Sequence, residues 1–160
     1  MNKIQIRPVT PADAPFLTTL MNHPAILHRL HQLPTTQSNW EEAIALWLSD
    51  DDEEGFILSD GPRPIGWFAV NNLLSPIPYL KIAVLLPQYQ GQGIGQTALR
   101  TLLDQLKARG YPKVRLFTDC DNQIAQACYQ KCGFRPLATT QESWPDGTTC
   151  QQYEMESHLL

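Results

Sequence analysis

The sequence predicts a single α/β domain in which helices flank one sheet. Three observations predict it. Segments with strand-like apolar patterning alternate along the chain with segments of helical period that carry clear start and stop signals. The chain has 160 residues, the size of one domain, and such a chain buries roughly 68–70% of its unfolded surface without staples. Its composition, 42% hydrophobic and 18% charged, is that of a globular protein and not of a disordered one.

Taken in order, Lys3 to Pro8 alternates, with Ile4 and Ile6 against Lys3, Gln5 and Arg7, and reads as a first strand. Thr10-Pro11-Ala12-Asp13 reads as a helix start, with Thr10 as cap, Pro11 at the first helical position and Asp13 as the capping-box acid; the helix should run to about Met21. The stretch from Asn22 to Gln37, rich in Pro and His, reads as an irregular or short-helical connection. Ser38-Asn39-Trp40-Glu41 reads as a second capping box, opening a helix through Leu48 with Trp40, Ala43, Ile44 and Trp47 on one face. The acids from Asp50 to Glu54 read as a solvated turn, or as a surface for a cationic substrate. Phe56 to Leu58 is a strand. Pro64 to Asn71 is another, with Ile65, Trp67 and Ala69 on one face and Gly66, Phe68 and Val70 on the other, which suits a central position in a sheet. Pro78 to Leu86 is a further apolar strand.

A long helix follows the glycine-rich run Gln90 to Gly95, burying Ile94, Ala98, Leu99, Leu102, Leu103 and Leu106 and ending at Gly110. Val114 to Phe117 is a strand. Asp121 or Asn122 caps the next helix, which should turn Ile124, Ala125, Cys128 and Cys132 inward and stop at Gly133. Phe134 to Thr140 and Thr149 to Met155 read as a closing hairpin with Trp144 to Gly147 at its tip.

Charge and cysteine usage narrow the function classes. The net charge is −4 and the pI about 5.5, whereas a sequence-independent grip on nucleic acid needs a basic face; no nucleic-acid partner is expected. No apolar run approaches the ~20 residues of a membrane span, and Met1 to Thr10 lacks the apolar core of an export signal. A cytoplasmic chain with no membrane partner is expected. Cys120, Cys128, Cys132 and Cys150 form no C-x-x-C pair and read as reduced, buried thiols; no metal site is expected.

The most informative stretch is strand, then Gln90-x-x-Gly93-x-Gly95, then helix. The first N–H groups of a helix have no internal partner, and the helix dipole adds positive charge there. Glycines remove the Cβ atoms that would hold an anion away. Each charge-assisted hydrogen bond is worth roughly 1.5–3 kcal/mol, so several can hold a pyrophosphate without a lysine. Gly95-Gln96-Thr97 lacks the lysine of a Walker loop, and the glycine spacing is not that of a dinucleotide fingerprint. Taken alone, the loop also reads as a turn that only packs helix on strand.

With Asn122 at the next helix start and Cys128-Tyr129-Gln130-Lys131-Cys132-Gly133-Phe134 within and after that helix, the loop resembles the GNAT superfamily of acetyl-CoA-dependent N-acetyltransferases. There the loop reads Arg/Gln-x-x-Gly-x-Gly/Ala and the later helix Asn-x-x-Ala-x-x-x-Tyr-x-Lys-x-Gly-Phe, places filled here by Asn122, Ala125, Tyr129, Lys131, Gly133 and Phe134. The resemblance implies a single domain over 1–160 with a twisted, mostly antiparallel sheet, splayed between the strands near 78–86 and 114–118. It assigns the acetyl-CoA side to 78–137 and the acceptor side mainly to 1–77 and 138–150. It implies that acetyl-CoA pairs with strand backbone around Ala83 and Leu85. The pyrophosphate would sit on the N–H groups of Gln90, Gly91, Gln92, Gly93, Ile94, Gly95 and Gln96, and Asn122 would hydrogen-bond the cofactor. Tyr129 matches the tyrosine that serves the leaving thiolate as acid; packing in the core is its other reading. A homodimer is a further implication.

The sequence departs from that pattern on the fourth strand, where many members carry a glutamate that takes the amine proton. Tyr79 to Leu86 holds no carboxylate, and Lys81 or Ile82 fills the place. This favours an amine of low pKa as acceptor. His28 and His31, in the connection between the first helices, are candidates for a substitute base, or surface histidines. His23, His28 and His31 lack an H-E-x-x-H arrangement for a metal. Glu41, Glu142 and Asp146 could face a cationic acceptor. The rival to an acetyltransferase is a catalytically weak acyl-CoA-binding module of the same fold.

Overall fold

The structure, a computed structural model, describes residues 4–159. Lys3, read as the start of the first strand, lies outside them. Strand β1 (Ile4–Pro8) leads through a 3₁₀ turn (Pro11–Asp13) into α1 (Ala14–Met21), α2 (Pro24–Leu30) and α3 (Gln37–Leu48). Then come β2 (Glu54–Asp60), β3 (Arg63–Asn71) and β4 (Tyr79–Leu85). After them come α4 (Ile94–Ala108), β5 (Lys113–Asp119), α5 (Gln123–Lys131), β6 (Arg135–Ser143) and β7 (Thr149–His158). The strands form one sheet in the order β1-β2-β3-β4-β5-β7-β6, with β4 and β5 parallel and every other pair antiparallel.

The period-2 pattern of the strands divides the core into two layers. Phe56, Leu58, Phe68, Val70 and Leu116 face α4, whose Ile94, Ala98, Leu99, Leu102, Leu103 and Leu106 are all buried. Each such aliphatic side chain contributes about 1.5–3 kcal/mol. Ile57, Trp67, Ala69 and Val84 face α1, α2 and α3. On that side Trp67 is stacked on Trp47 at 5.4 Å and met edge-on by Trp40 at 5.6 Å, with its indole N–H on Met21 Sδ.

Three local expectations are corrected. Ile65 packs with the α4 layer and not with Trp67 and Ala69. The register of β2 on β3 skips it between Gly66↔Leu58 and Pro64↔Ser59, and a bulge turns one residue to the other face. α3 is capped by Thr36, whose hydroxyl accepts from Asn39 N–H at 3.2 Å, two residues before the expected Ser38. Thr10, by contrast, is the N-cap residue of a capping box with Asp13, as expected, with Pro11 in the first turn. The Thr10 N–H and hydroxyl both donate to Asp13 Oδ2, and Asp13 also takes a bidentate pair from Arg7 at 2.7 and 2.8 Å. Ile124 is 84% exposed, because the first turn of α5 overhangs the opening described below and not the core. The acids at 50–54 are partly committed: Asp52 accepts from Leu74 N–H, and Glu54 pairs with Arg109.

Candidate active site

Strands β4 and β5 pair only at Tyr79↔Arg115 and Leu80↔Leu116. Beyond that point β5 follows β7 along its whole length, while β4 follows β3 through a bulge that leaves Lys81 without a partner. A bulge bends its strand and strengthens the local twist, so the two strands part. The opening continues into a cavity of about 1330 Å³. The splay therefore stands where the family resemblance implied it.

One wall is the glycine loop. Gly91 and Gly93 adopt φ of +76° and +79°, and a Cβ on either would meet no protein atom within 4 Å. Gly93 is the N-cap of α4, and the first intrahelical bond runs from Thr97 N–H to Gly93 O. The N–H groups of Ile94, Gly95 and Gln96 precede it and lie free of the helix ladder. The side chains of Gln90 and Gln92 brace the loop, donating to Leu85 O and Gln88 O. Ala83, Leu85, Gln90, Gly91, Gly93, Gly95, Gln96, Asn122 and Tyr129 line the cavity. The side chains of Gln92 and Ile94 do not; Ile94 is in the core.

Asn122, and not Asp121, caps α5, its Oδ1 accepting from Ala125 N–H at 3.3 Å. Tyr129 packs edge-on against Phe134 at 5.9 Å, and its hydroxyl has no hydrogen-bond partner among the described residues. Burial, reinforced by the Cys128 and Cys132 sulfurs, pushes its pKa well above that of a free phenol. Cys128 and Cys132 lie side by side as reduced thiols. The hydrogen bond from Cys132, with help from Lys131 and Arg100 and against burial, lowers Cys128 to about 7.

The opposite wall carries a polar cluster of which the sequence named only part. The His31 ring lies stacked on Trp144, with centroids 5.0 Å apart. Its Nε2 is 2.8 Å from Asp119 Oδ2 and its Nδ1 3.0 Å from Thr148 Oγ1. Asp119 also accepts from Gln152 Nε2 at 3.1 Å and from Cys150 Sγ at 3.4 Å. Burial alone would raise the Asp119 pKa, but the bonds from His31, Gln152 and Cys150 outweigh it and hold the carboxyl below the usual range. His28 stays exposed, and His23 caps α2 through Nδ1. Glu142 and Trp144 reach the cavity wall, whereas Glu41 lies outside it. Asp119, Cys150 and Gln152 carried no local signal. Asp119 reads as an ordinary strand end, and only folding brings it beside His31, 88 residues away.

Comparison with known proteins agrees with this architecture. The sequence matches the Acetyltransferase (GNAT) family over residues 20–134. The chain belongs to the GNAT acetyltransferase family. Curated relatives include the mycothiol acetyltransferases of Beutenbergia cavernae, 32% identical over 62% of this chain and 31% of that protein, and of Kytococcus sedentarius, 31% identical over 69% and 35%. The chain thus spans about a third of the length of these relatives. Among solved structures, the spermidine N-acetyltransferase of Vibrio cholerae in complex with CoA and spermine superposes with a TM-score of 0.87, 21% identity and coverage of 98% of this chain and 95% of that one. At that identity the likeness is one of fold. No described helix is long and apolar enough to cross a membrane.

Proposed function

We propose that this GNAT chain transfers an acetyl group from acetyl-CoA directly to a primary amine in the β4–β5 opening. The observation that carries the reading is the junction of two features in one cavity: a strand freed from its neighbour beyond Leu80, and a glycine loop ending in unpartnered helix N–H groups. Acetyl-CoA supplies the activated thioester. In this reading the backbone of β4 around Ala83 and Leu85 aligns its pantetheine arm. The N–H groups from Gln90 to Gln96 hold its pyrophosphate, and Asn122, at the head of α5, lines its path. The open space beside Gly91 and Gly93 suits such an anion, because nothing there keeps it from the backbone. Tyr129 donates a hydrogen bond to the sulfur as negative charge develops on it. Its raised pKa keeps the phenol protonated and makes full proton transfer to a thiolate the less favourable course.

The acceptor in this reading is an amine of low pKa. At pH 7 a lysine-type amine, pKa about 10.4, costs roughly 4.6 kcal/mol to present neutral, and an α-amine, pKa about 7.7–8, only about 1–1.5 kcal/mol. With no carboxylate on β4 the smaller cost favours the second class. The test is thiol release from acetyl-CoA over a panel of amines, read as kcat/KM against pH. We expect turnover with α-amines, aminosugars or arylamines. Equal kcat/KM for an ε-amine and its α-amine counterpart at pH 7 would remove the preference. A CoA-induced thermal shift with no turnover on any amine would make the chain an acyl-CoA-binding module instead. Self-association belongs to the same reading, since β6 closes the sheet as an exposed edge; light scattering at two protein concentrations tests it.

A further inference from the structure

The catalytic strand β4 brings no carboxylate to the cavity, yet the cavity holds an ionised one on the other side of the opening. That carboxylate is Asp119, the last residue of β5, which lines the same cavity as Ala83 and Leu85, the stretch of β4 read above as the thioester's partner. Asp119 is 7% exposed and bonded to His31, and both line the cavity. We propose that His31, positioned by Asp119, is the base that takes the proton from the acceptor amine. The proposal rests on the reading that this cavity acetylates an amine.

Hydrogen bonding sets the ring in the required form. The Asp119 carboxylate at 2.8 Å holds the proton on Nε2 and leaves the lone pair on Nδ1. Nδ1 is met by the Thr148 hydroxyl at 3.0 Å, and that hydroxyl has a second acceptor in Asp146 Oδ1 at 2.6 Å. Thr148 can therefore release Nδ1 to an incoming amine without losing its own hydrogen bond. Stacking on Trp144 fixes the ring plane. The backbone points the same way. His31 ends α2 at φ 57°, ψ 39°, a left-handed position where glycine is the usual residue. Such a conformation persists where surrounding contacts over-determine it, and it concentrates at functional sites.

The charged groups around the ring come from every neighbouring element. α2 supplies His28 and Arg29, the latter 3.8 Å from Asp119 and 3.1 Å from Asp121. β5 supplies Asp119, the hairpin turn Asp146 at 4.0 Å from Nδ1, and β7 Cys150 at 3.7 Å from Nε2. Glu142 of β6 stands on the cavity wall. Asp119 and Asp146 give the imidazolium a partner at the moment it forms. The donor atoms of His31, Asp119 and Cys150 lie within 4.8 Å of one another, a set that could also hold a zinc ion. The 2.8 Å between Nε2 and Oδ2 is the length of a hydrogen bond, and zinc is the rival occupant that the chelator treatment below tests.

The acceptor's ammonium gives one proton to Nδ1 and becomes a neutral amine. Its lone pair forms the C–N bond at the thioester carbon as the C–S bond breaks. Sulfur leaves with the bonding pair and ends as the thiol by taking the amine's second proton, and the imidazolium returns its own proton to water.

The test compares wild type with His31→Gln, Asp119→Asn and Asp119→Glu. It uses the best amine of the panel and a fluorinated analogue of it that is neutral at pH 7. For His31→Gln we expect kcat/KM at pH 7 to fall about 10²–10³-fold on the basic amine, but only a few-fold on the neutral analogue. On the neutral analogue, whose own amine does not titrate there, the acidic limb of the wild-type pH profile should vanish in the same variant. Asp119→Asn should displace that limb and lower kcat more than it raises KM, and Asp119→Glu should restore part of the rate. A CoA-induced thermal shift equal to wild type shows that each variant is folded. An equal loss on both amines with the limb retained would make His31 a structural residue and overturn the proposal. So would loss of wild-type activity together with bound zinc on treatment with a chelator. Wild-type turnover matched by His31→Gln overturns this proposal alone, whereas a wild type inactive on every amine overturns the reading beneath it as well.

Discussion

Single side chains divide into those that hold the fold and those left with unused chemistry. Asp13 belongs to the first group. Burial pushes its pKa up, but the Arg7 guanidinium and the Thr10 N–H together hold it below the usual carboxylate range. The unfolded chain therefore binds the proton more readily than the fold does. The stabilisation is complete above the unfolded pKa of about 3.9 and is lost as pH falls through the lower folded value. Arg7 is 44% exposed, which limits the worth of the pair. Asp13→Asn should cost about 1–2 kcal/mol at pH 7, read as a lower Tm, and the gap from wild type should close in acid. Tyr129 belongs to the second group: it is half-buried on the cavity wall, and no group among the described residues bonds its hydroxyl. Tyr129→Phe should lower kcat roughly 10–100-fold, given what a lost transition-state donor costs. KM for acetyl-CoA should stay within about twofold, since the interaction arises only as the sulfur becomes charged. An unchanged kcat in a thiol-release assay would leave Tyr129 as packing alone.

Among the elements, the β3–β4 pair is the hinge of the site. Two bulges act on it. One turns Ile65 toward α4, and the other leaves Lys81 unpaired where β4 leaves β5. Gly66 sits between them with no room for a side chain: a Cβ there would press on the Val84 carbonyl oxygen and on Leu85. Gly66→Ala should therefore cost about 2–3 kcal/mol, as overpacking does. Because the displaced residues belong to β4, KM for acetyl-CoA should also rise. A thermal melt and a steady-state titration together check both effects. α4 behaves differently. Its stripe of buried aliphatic residues matches the sequence pattern at every position, since a moment repeating every 3.6 residues has only one face to offer a sheet.

For the molecule as a whole, net charge and ligand charge have the same sign. The chain carries −4, and acetyl-CoA is strongly anionic. In the proposed complex, attraction comes from fixed N–H dipoles at the head of α4 and not from a field of lysines. Such short-range contacts are screened far less than exposed charges more than a Debye length apart. Raising ionic strength from about 0.05 to 0.5 M, which shrinks that length from roughly 14 to 4 Å, should change KM for acetyl-CoA less than about threefold. A steep rise would show that Lys131 or another surface cation carries the attraction. The surplus acid is distributed unevenly: Asp119, Asp121, Glu142 and Asp146 gather around the His31 side of the opening. That is the side a cationic amine would enter.

By itself the sequence determined the order of elements, the buried face of α4 and the glycine loop, and the resemblance to the GNAT family implied the place of the splay. The first three depend on short-range rules: helical and strand periods, cap and stop residues, and a loop motif of nine residues or fewer. It left the first turn of α5 ambiguous, since Ile124 has the spacing of a core residue and meets only the opening. The sequence could not express in one dimension that two bulges would reverse Ile65 and isolate Lys81, because a bulge is a mismatch between strands. Nor could it show that His31, Asp119, Thr148 and Cys150 would meet. Those residues come from the end of one helix, the end of β5 and the turn into β7, three stretches far apart along the chain. Only the parallel step from β4 to β5, and the insertion of β7 beside β5, bring them to one wall of the cavity. Tertiary structure alone decided the chemistry of that wall, because side-chain contact at 3 Å depends on how strands are ordered in the sheet and not on which residues are neighbours in sequence.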